Sequence, residues 1–179
     1  MKKKLLAVLL ISTMVLGLVA CGEAATAEVS EEVAVEGGRI EFTPPEGFTV
    51  EDPNTENMFY TEDYPNDTAN YNVTYADNDP YTFEYTQEDY CQIIQETFKS
   101  QYDIDVDVNC TEFTSTELDG HEVRIIRTNY QIGDVGLDQI QCAVKLGEGC
   151  ETVTYTQTIG GDWTDEFEAS MATIHVVAE

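Results

Sequence analysis

The sequence predicts an α+β fold, an antiparallel β-sheet with helices packed on it. Three observations lead there. From about residue 103 to residue 159, apolar and polar residues alternate in four runs separated by tight-turn signals. Antiparallel strands need only such short connections, so the runs read as a meander. The segment Gln87 to Gln101 instead carries its apolar residues at helical spacing. A second helical pattern, Trp163 to Met171, follows the last run.

Taken in order, Arg39 to Phe42 reads as a first strand, stopped by Thr43-Pro44-Pro45-Glu46-Gly47. Phe48 to Glu51 gives a second, Asp52-Pro53-Asn54 a turn, and Met58-Phe59-Tyr60 a third strand. In Asn70 to Ala76, Tyr71, Val73 and Tyr75 share one face while Asn72 and Thr74 share the other, the pattern of a half-buried antiparallel strand. Asp77-Asn78-Asp79-Pro80 breaks it. Thr86 then caps the long helix, with Asp89 completing an approximate capping box and Glu88 favouring the dipole. Its stripe of Tyr90, Ile93, Ile94, Thr97 and Phe98 is expected to pack in the core. After it, Ile104, Val106, Val108 and Cys110 alternate with Asp103, Asp105, Asp107 and Asn109, giving a strand with one dry and one acidic face. Asp119-Gly120 is a hairpin signal into His121 to Ile132. Gly133-Asp134 turns into Leu137 to Leu146, and Gly147-Glu148-Gly149 into Glu151 to Ile159. In the closing helix Trp163, Phe167 and Met171 recur every fourth residue, and Ile174-His175-Val176 ends as a short strand.

Ahead of this domain stands a leader. Lys2, Lys3 and Lys4 precede an apolar run, Leu5 to Val15, and the stretch closes on Leu18-Val19-Ala20-Cys21. A basic start, a short apolar centre and a small-residue cleavage site mark a secretory signal peptide. A spanning helix needs roughly 20 predominantly apolar residues, and Ser12, Thr13 and Gly17 interrupt this one. Leu-Val-Ala-Cys resembles the lipobox of bacterial lipoproteins. That resemblance implies a diacylglycerol on the Cys21 thiol, cleavage just before it, and attachment to the extracytoplasmic face of the cell membrane. The expected organisation is a signal peptide at 1–20, a lipidated cysteine with a flexible acidic tether at 21–38, and one domain at 39–179. The tether, rich in Ala, Glu and Gly and without aromatics, is too polar and self-repelling to fold.

Without the leader 159 of the 179 residues remain, enough for one ordinary domain and too few for two lobes closing over a solute. The chain has 35 acidic and 8 basic residues, and three of those basic residues leave with the leader, so the mature protein carries a formal −30. Such a surface repels nucleic acid and anionic headgroups and favours cationic partners. It is also a general aid to solubility, consistent with a monomer.

The residues able to carry chemistry are few. His121 and His175 are the only histidines, and no Gly-x-Ser-x-Gly, phosphate-binding loop, His-Glu-x-x-His or dinucleotide fingerprint occurs. A catalytic site must join nucleophile, base and orienter, so a non-enzymatic role without a cofactor is expected. Asp77, Asn78 and Asp79, or Glu62, Asp63 and Asp67, offer calcium-type oxygens but lack the full ligand loop. Asp103, Asp105 and Asp107 describe a wet strand face better than a metal cage. Beyond Cys21, the even set Cys91, Cys110, Cys142 and Cys150 in an exported chain makes two disulfides candidates, with three connectivities open. Cys142 and Cys150 flank one hairpin, and Cys91 on the helix could meet Cys110 on the sheet. Free thiols are the alternative.

Phe42-Thr43-Pro44-Pro45-Glu46-Gly47-Phe48 resembles the opening of PsbP-like domains, where a strand runs into a Pro-Gly-aromatic turn. Leu118-Asp119-Gly120-His121-Glu122-Val123 is similar to their central hairpin, and Val153-Thr154-Tyr155-Thr156 with Asp165-Glu166-Phe167, Ser170 and Ile174 to their last strand and closing helix. The likeness follows element order over residues 39–177. It implies an α/β/α sandwich, found mostly in binding and assembly modules. Fold alone assigns no function. The expected function is therefore a membrane-anchored, non-catalytic binding or accessory module for an unidentified protein or cationic ligand. The alternatives are an extracytoplasmic enzyme using carboxylates or His121, and a calcium-stabilised adhesion module.

Overall fold

The computed structural model describes residues 38–76 and 83–178. The leader, Cys21, nearly all of the tether and the break at Asp77-Asn78-Asp79-Pro80 lie outside the described residues. The strands are β1 (Arg39–Glu41), β2 (Phe48–Glu51), β3 (Met58–Thr61), β4 (Asn70–Ala76), β5 (Asp107–Leu118), β6 (His121–Ile132), β7 (Val135–Leu146), β8 (Gly149–Thr158) and β9 (His175–Val177). Two helices lie wholly within the described residues, α1 (Gln87–Tyr102) and α2 (Thr164–Met171).

Seven strands form one antiparallel sheet in the order β2-β3-β4-β8-β7-β6-β5, and β1 pairs with β9 in a separate ribbon. The sheet thus joins two meanders, β2 to β4 and β5 to β8, through the β4–β8 pair. The hairpin between β5 and β6 turns on Asp119 and Gly120, with φ of 52° and 86°. Two consecutive positive φ values suit the strand twist, and Asp-Gly is a favoured pair for them.

Helix α1 starts as its residues dictate. The Thr86 hydroxyl accepts from the Asp89 N–H at 3.3 Å, and the Thr86 N–H donates to Asp89 Oδ2 at 3.1 Å. At the other end Asp103 takes φ 52°, its N–H donating to Lys99 O while the Ile104 N–H donates to Phe98 O. That left-handed exit corrects the expected strand start. β5 begins at Asp107, because Asp103 ends the helix and Asp105 lies in the connection, both bridged by Lys99 Nζ at 3.1 and 2.9 Å.

Helices cover both faces of the sheet. Tyr90, Ile94 and Phe98 of α1 pack with Val108, Cys110, Ile126 and Tyr130 on one face. On the other, α2 and the β1–β9 ribbon cover Tyr71, Val144, Val153 and Tyr155 through Phe167, Ile174 and Ile40. Phe48 sits at the centre of an aromatic group there, 4.8 Å from Trp163, 5.5 Å from Phe167 and 6.2 Å from Tyr71 between ring centroids. The sandwich agrees with the predicted fold class. One strand departs from expectation. In β4 the Asn70 and Asn72 side is buried along with the Tyr71 side, so both faces of that strand are covered.

Candidate functional site

Register places an unusual set of side chains on the α1 face. Running across the sheet from β3 to β6, one row reads Tyr60, Asn70, Thr156, Gln139, Thr128. The next reads Met58, Asn72, Thr154, Gln141, Ile126, and a third Thr74, Thr152, Ala143, Arg124. The middle of this face is thus a floor of carboxamides and hydroxyls. It is buried, with Thr154 at 0%, Asn72 at 1% and Gln139 at 1% exposure.

Some of these groups satisfy one another. Gln141 Nε2 donates to Gln139 Oε1 at 2.8 Å, Gln139 Nε2 to the Thr156 hydroxyl at 3.1 Å, and the Tyr90 hydroxyl to Gln141 Oε1 at 2.7 Å. Others do not. Asn70 Oδ1, Asn72 Oδ1, Thr154 Oγ1 and Thr128 Oγ1 are buried without a hydrogen-bond partner. Each such group costs about 1–3 kcal/mol against a satisfied one, and buried polar groups are as a rule paired. Exposure rises toward one end of the floor. Along β4 it passes from buried Asn72 to half-buried Thr74, and along β7 from buried Ala143 to exposed Lys145. The floor therefore opens at its Lys145 end. Apart from Arg124 at the end of the third row it is uncharged and rich in acceptors and hydroxyls, suited to hydroxyl and amide groups.

A second concavity, about 160 Å³, lies on the α2 face, lined by Arg127, Asp138, Gln157, Thr164 and Phe167. Its polar groups are largely engaged. Arg127 bonds Glu112 Oε2 at 2.8 Å and Glu168 Oε1 at 3.0 Å, and Gln157 Nε2 donates to the Thr164 hydroxyl at 2.8 Å. Burial raises the Asp138 carboxyl above its ordinary value, and the neighbouring Arg127 charge partly offsets this. With three carboxylates around one guanidinium, the surroundings suit a cationic group.

The residues singled out from sequence are scattered. His121 Nδ1 lies 3.1 Å from Lys145 O, and His175 Nδ1 3.1 Å from Thr173 O with Nε2 3.8 Å from Glu41. Neither lines the Arg127 concavity. In the segment carrying Glu62, Asp63 and Asp67, Asp63 accepts from the Asn66 amide, and Asp67 accepts from the Ala69 N–H and from Trp163 Nε1 at 2.7 Å. Those two carboxylates tie loops together. Among the described residues no cluster of three or more His, Cys, Asp or Glu is placed to hold a metal.

All four domain cysteines are thiols in the structure. Cys91 and Cys110 lie within hydrogen-bond reach, and burial, then the neighbouring Cys91, pushes the Cys110 thiol up to about 12. The suggested pairing of Cys142 with Cys150 is corrected by register. Cys142 opposes Val153 while Cys150 opposes Lys145, which puts the two sulfurs on opposite faces of the sheet. Burial alone pushes the Cys142 thiol up to about 12.

The sequence reading did not anticipate the polar floor or the Arg127 cleft. The floor left one trace, threonine at every second residue of β8, at 152, 154, 156 and 158. Among the described residues no helix is long and apolar enough to cross a membrane.

No protein family matches the sequence, and no curated protein matches it either. Solved structures are similar. The solution structure of cyanobacterial PsbP (CyanoP) from Synechocystis sp. PCC 6803 matches at a TM-score of 0.57 and 14% identity, over 88% of this chain and 99% of that one. LpqN of Mycobacterium tuberculosis, involved in cell envelope biogenesis, matches at 0.50 and 11%, over 78% and 85%. The fold is PsbP-like, and at these identities the likeness concerns fold alone.

Proposed function

We propose that this chain is a lipid-anchored, extracytoplasmic, non-catalytic binding module whose polar floor receives the hydrogen-bonding groups of a partner. The observation that carries the reading is the set of unpartnered atoms on Asn70, Asn72, Thr128 and Thr154. A sheet face buried for stability alone would be apolar, since a hydroxyl or carboxamide buried without a partner weakens the fold. A binding surface keeps such groups, because a partner's donors and acceptors complete them. The envelope role of LpqN, a protein of similar fold, supports an envelope setting here. Attachment rests on Cys21, where two acyl chains would give stable anchoring and one only marginal anchoring.

Crosslinking in intact cells tests the reading. Thr154→Val and Asn72→Leu should leave a folded protein and remove the specific crosslinked species seen with the parent chain. An unchanged crosslinking pattern in both variants would count against the floor as the binding surface. Anchoring has its own test. Cys21→Ala should leave the leader uncleaved or move the protein out of the detergent phase, and unchanged processing and partitioning would refute it.

A further inference from the structure

Five basic residues follow the leader: Arg39, Lys99, Arg124, Arg127 and Lys145. In a chain with 35 acids, each would be expected to find a carboxylate. Three do. Arg39 pairs with Glu41, Lys99 with Asp103 and Asp105, and Arg127 with Glu112 and Glu168. The other two pair with no carboxylate among the described residues, and both are drawn to Phe83. Arg124 Nη2 donates to the Phe83 carbonyl at 3.0 Å, while Lys145 Nζ stands 5.7 Å from the Phe83 ring centre. The Arg124 guanidinium lies 4.4 Å from the Phe113 ring centre, is 8% exposed, and keeps a buried Nε without a partner.

Both cations belong to the α1 face. Arg124 ends the third row of the floor beside Ala143, and Lys145 follows two residues along β7, at the open end. A buried guanidinium facing an aromatic ring and one carbonyl is incompletely compensated, since a charge taken from water requires both pairing and hydrogen bonds. An anion would supply both.

We infer that Arg124 and Lys145 form an oxyanion subsite at the mouth of the floor, taking a carboxylate or phosphate. The rest of the ligand then reaches the half-buried Thr74 at the open end of the same row, so the ligand class is a small anion bearing hydroxyl or amide groups. Such an anion would be held by the Arg124 Nε–H and the Lys145 ammonium, and charge-assisted bonds of this kind are the stronger ones. This deepens the reading of the floor as a binding surface. Its failure would leave that reading standing, because the floor's own test replaces Asn72 and Thr154 and neither cation.

The test titrates the purified full chain with sodium phosphate and, separately, sodium citrate, keeping ionic strength constant with sodium chloride and following the melting temperature. At least one of the two should raise it with saturation. The one acting at lower concentration names the group as phosphate or carboxylate, and equal action assigns a general oxyanion site. Lys145→Gln, at an exposed position, should weaken that anion's binding by about tenfold. Arg124→Gln should abolish it. Equal, unsaturable shifts from phosphate, citrate and chloride would mean screening of the chain's negative charge and would overturn the proposal. So would unchanged anion affinity in Lys145→Gln, which does not depend on Arg124→Gln remaining folded.

Discussion

The two faces of the sheet are built from the same strands and differ in what they bury. On the α2 face, alternate residues of β4, β7 and β8 are Tyr71, Ile140, Cys142, Val144, Val153 and Tyr155, packed against Phe48 and Phe167. Shifting one residue along the same strands gives Asn70, Asn72, Gln139, Gln141, Thr152 and Thr154 on the α1 face, equally buried. Sequence economy does not explain this. The residues of one face serve cohesion, while the unpartnered atoms of the other weaken it. The difference separates the face that holds the fold together from the face proposed above for recognition.

The largest expected effect lies on the cohesive face. Phe167→Ala should cost about 3–5 kcal/mol, because it opens a cavity among Phe48, Tyr155 and the strands beneath. Urea unfolding measures it, and a loss no greater than for a surface residue would erase the contrast between faces.

Next in size is the thiol pair at the edge of the α1 face. Mild oxidation should join Cys91 to Cys110, closing a loop whose restriction of the unfolded chain contributes about 3 kcal/mol. Cys142 and Cys150, on opposite faces, should stay as thiols. Alkylation before and after reduction, read by mass spectrometry, gives the count. A bridge between Cys142 and Cys150 would contradict the strand register.

The sharpest comparison is one of sign. Thr154→Val keeps the shape and removes a buried hydroxyl that has no partner, so it should stabilise the free protein by about 1 kcal/mol. A clear loss of stability would show that the hydroxyl is satisfied within the fold.

Acidity provides a further discrimination, since the α2 face holds Asp138 and Glu151. Burial raises both carboxyls above their ordinary values, opposed in part by the Arg127 charge at Asp138 and by the Ile40 N–H bond and the Arg39 charge at Glu151. The folded protein then binds these protons more tightly than the unfolded chain. Their contribution is fully present below the ordinary carboxyl pKa and is lost as pH rises through the raised values. Stability should therefore fall as pH rises from about 4 toward neutrality, and Asp138→Asn with Glu151→Gln should flatten the slope. An unchanged slope in the double variant would assign the dependence to general charge repulsion.

The smallest effect is expected from divalent ions. At matched ionic strength, low-millimolar calcium and magnesium should shift the melting temperature alike and slightly. A saturating shift with calcium alone would require a specific site.

The architecture was largely legible because its signals are local. Thr86 and Asp89 write the start of α1, and Asp119-Gly120 writes a turn that leaves the chain little choice. Asp103 misled because Ile104 and Val106 continue the alternation of β5 backward into the exit from the helix. The floor was illegible for a different reason. A period of two states which residues share a face, and says nothing about whether that face is covered. Asn72 and Thr74 therefore read as wet. The clustering of Arg124 and Lys145 at Phe83 was equally hidden, because it joins β6, β7 and the approach to α1 only after folding.

The sheet is open, and its β5 edge has consequences for self-association. Eleven of that strand's twelve residues pair with β6, and among the described residues nothing pairs on its other side, which leaves a long row of backbone donors and acceptors that a second chain could extend. Two features oppose such growth. The register slips between Cys110 and Glu112, bending the strand where a flat partner would lie. Asp107, Glu112 and Glu117 stud the same strand, so two copies approaching edge to edge would bring like charges together. At high local concentration these two features would oppose pairing of one copy's β5 edge with another's, without any element laid over that edge.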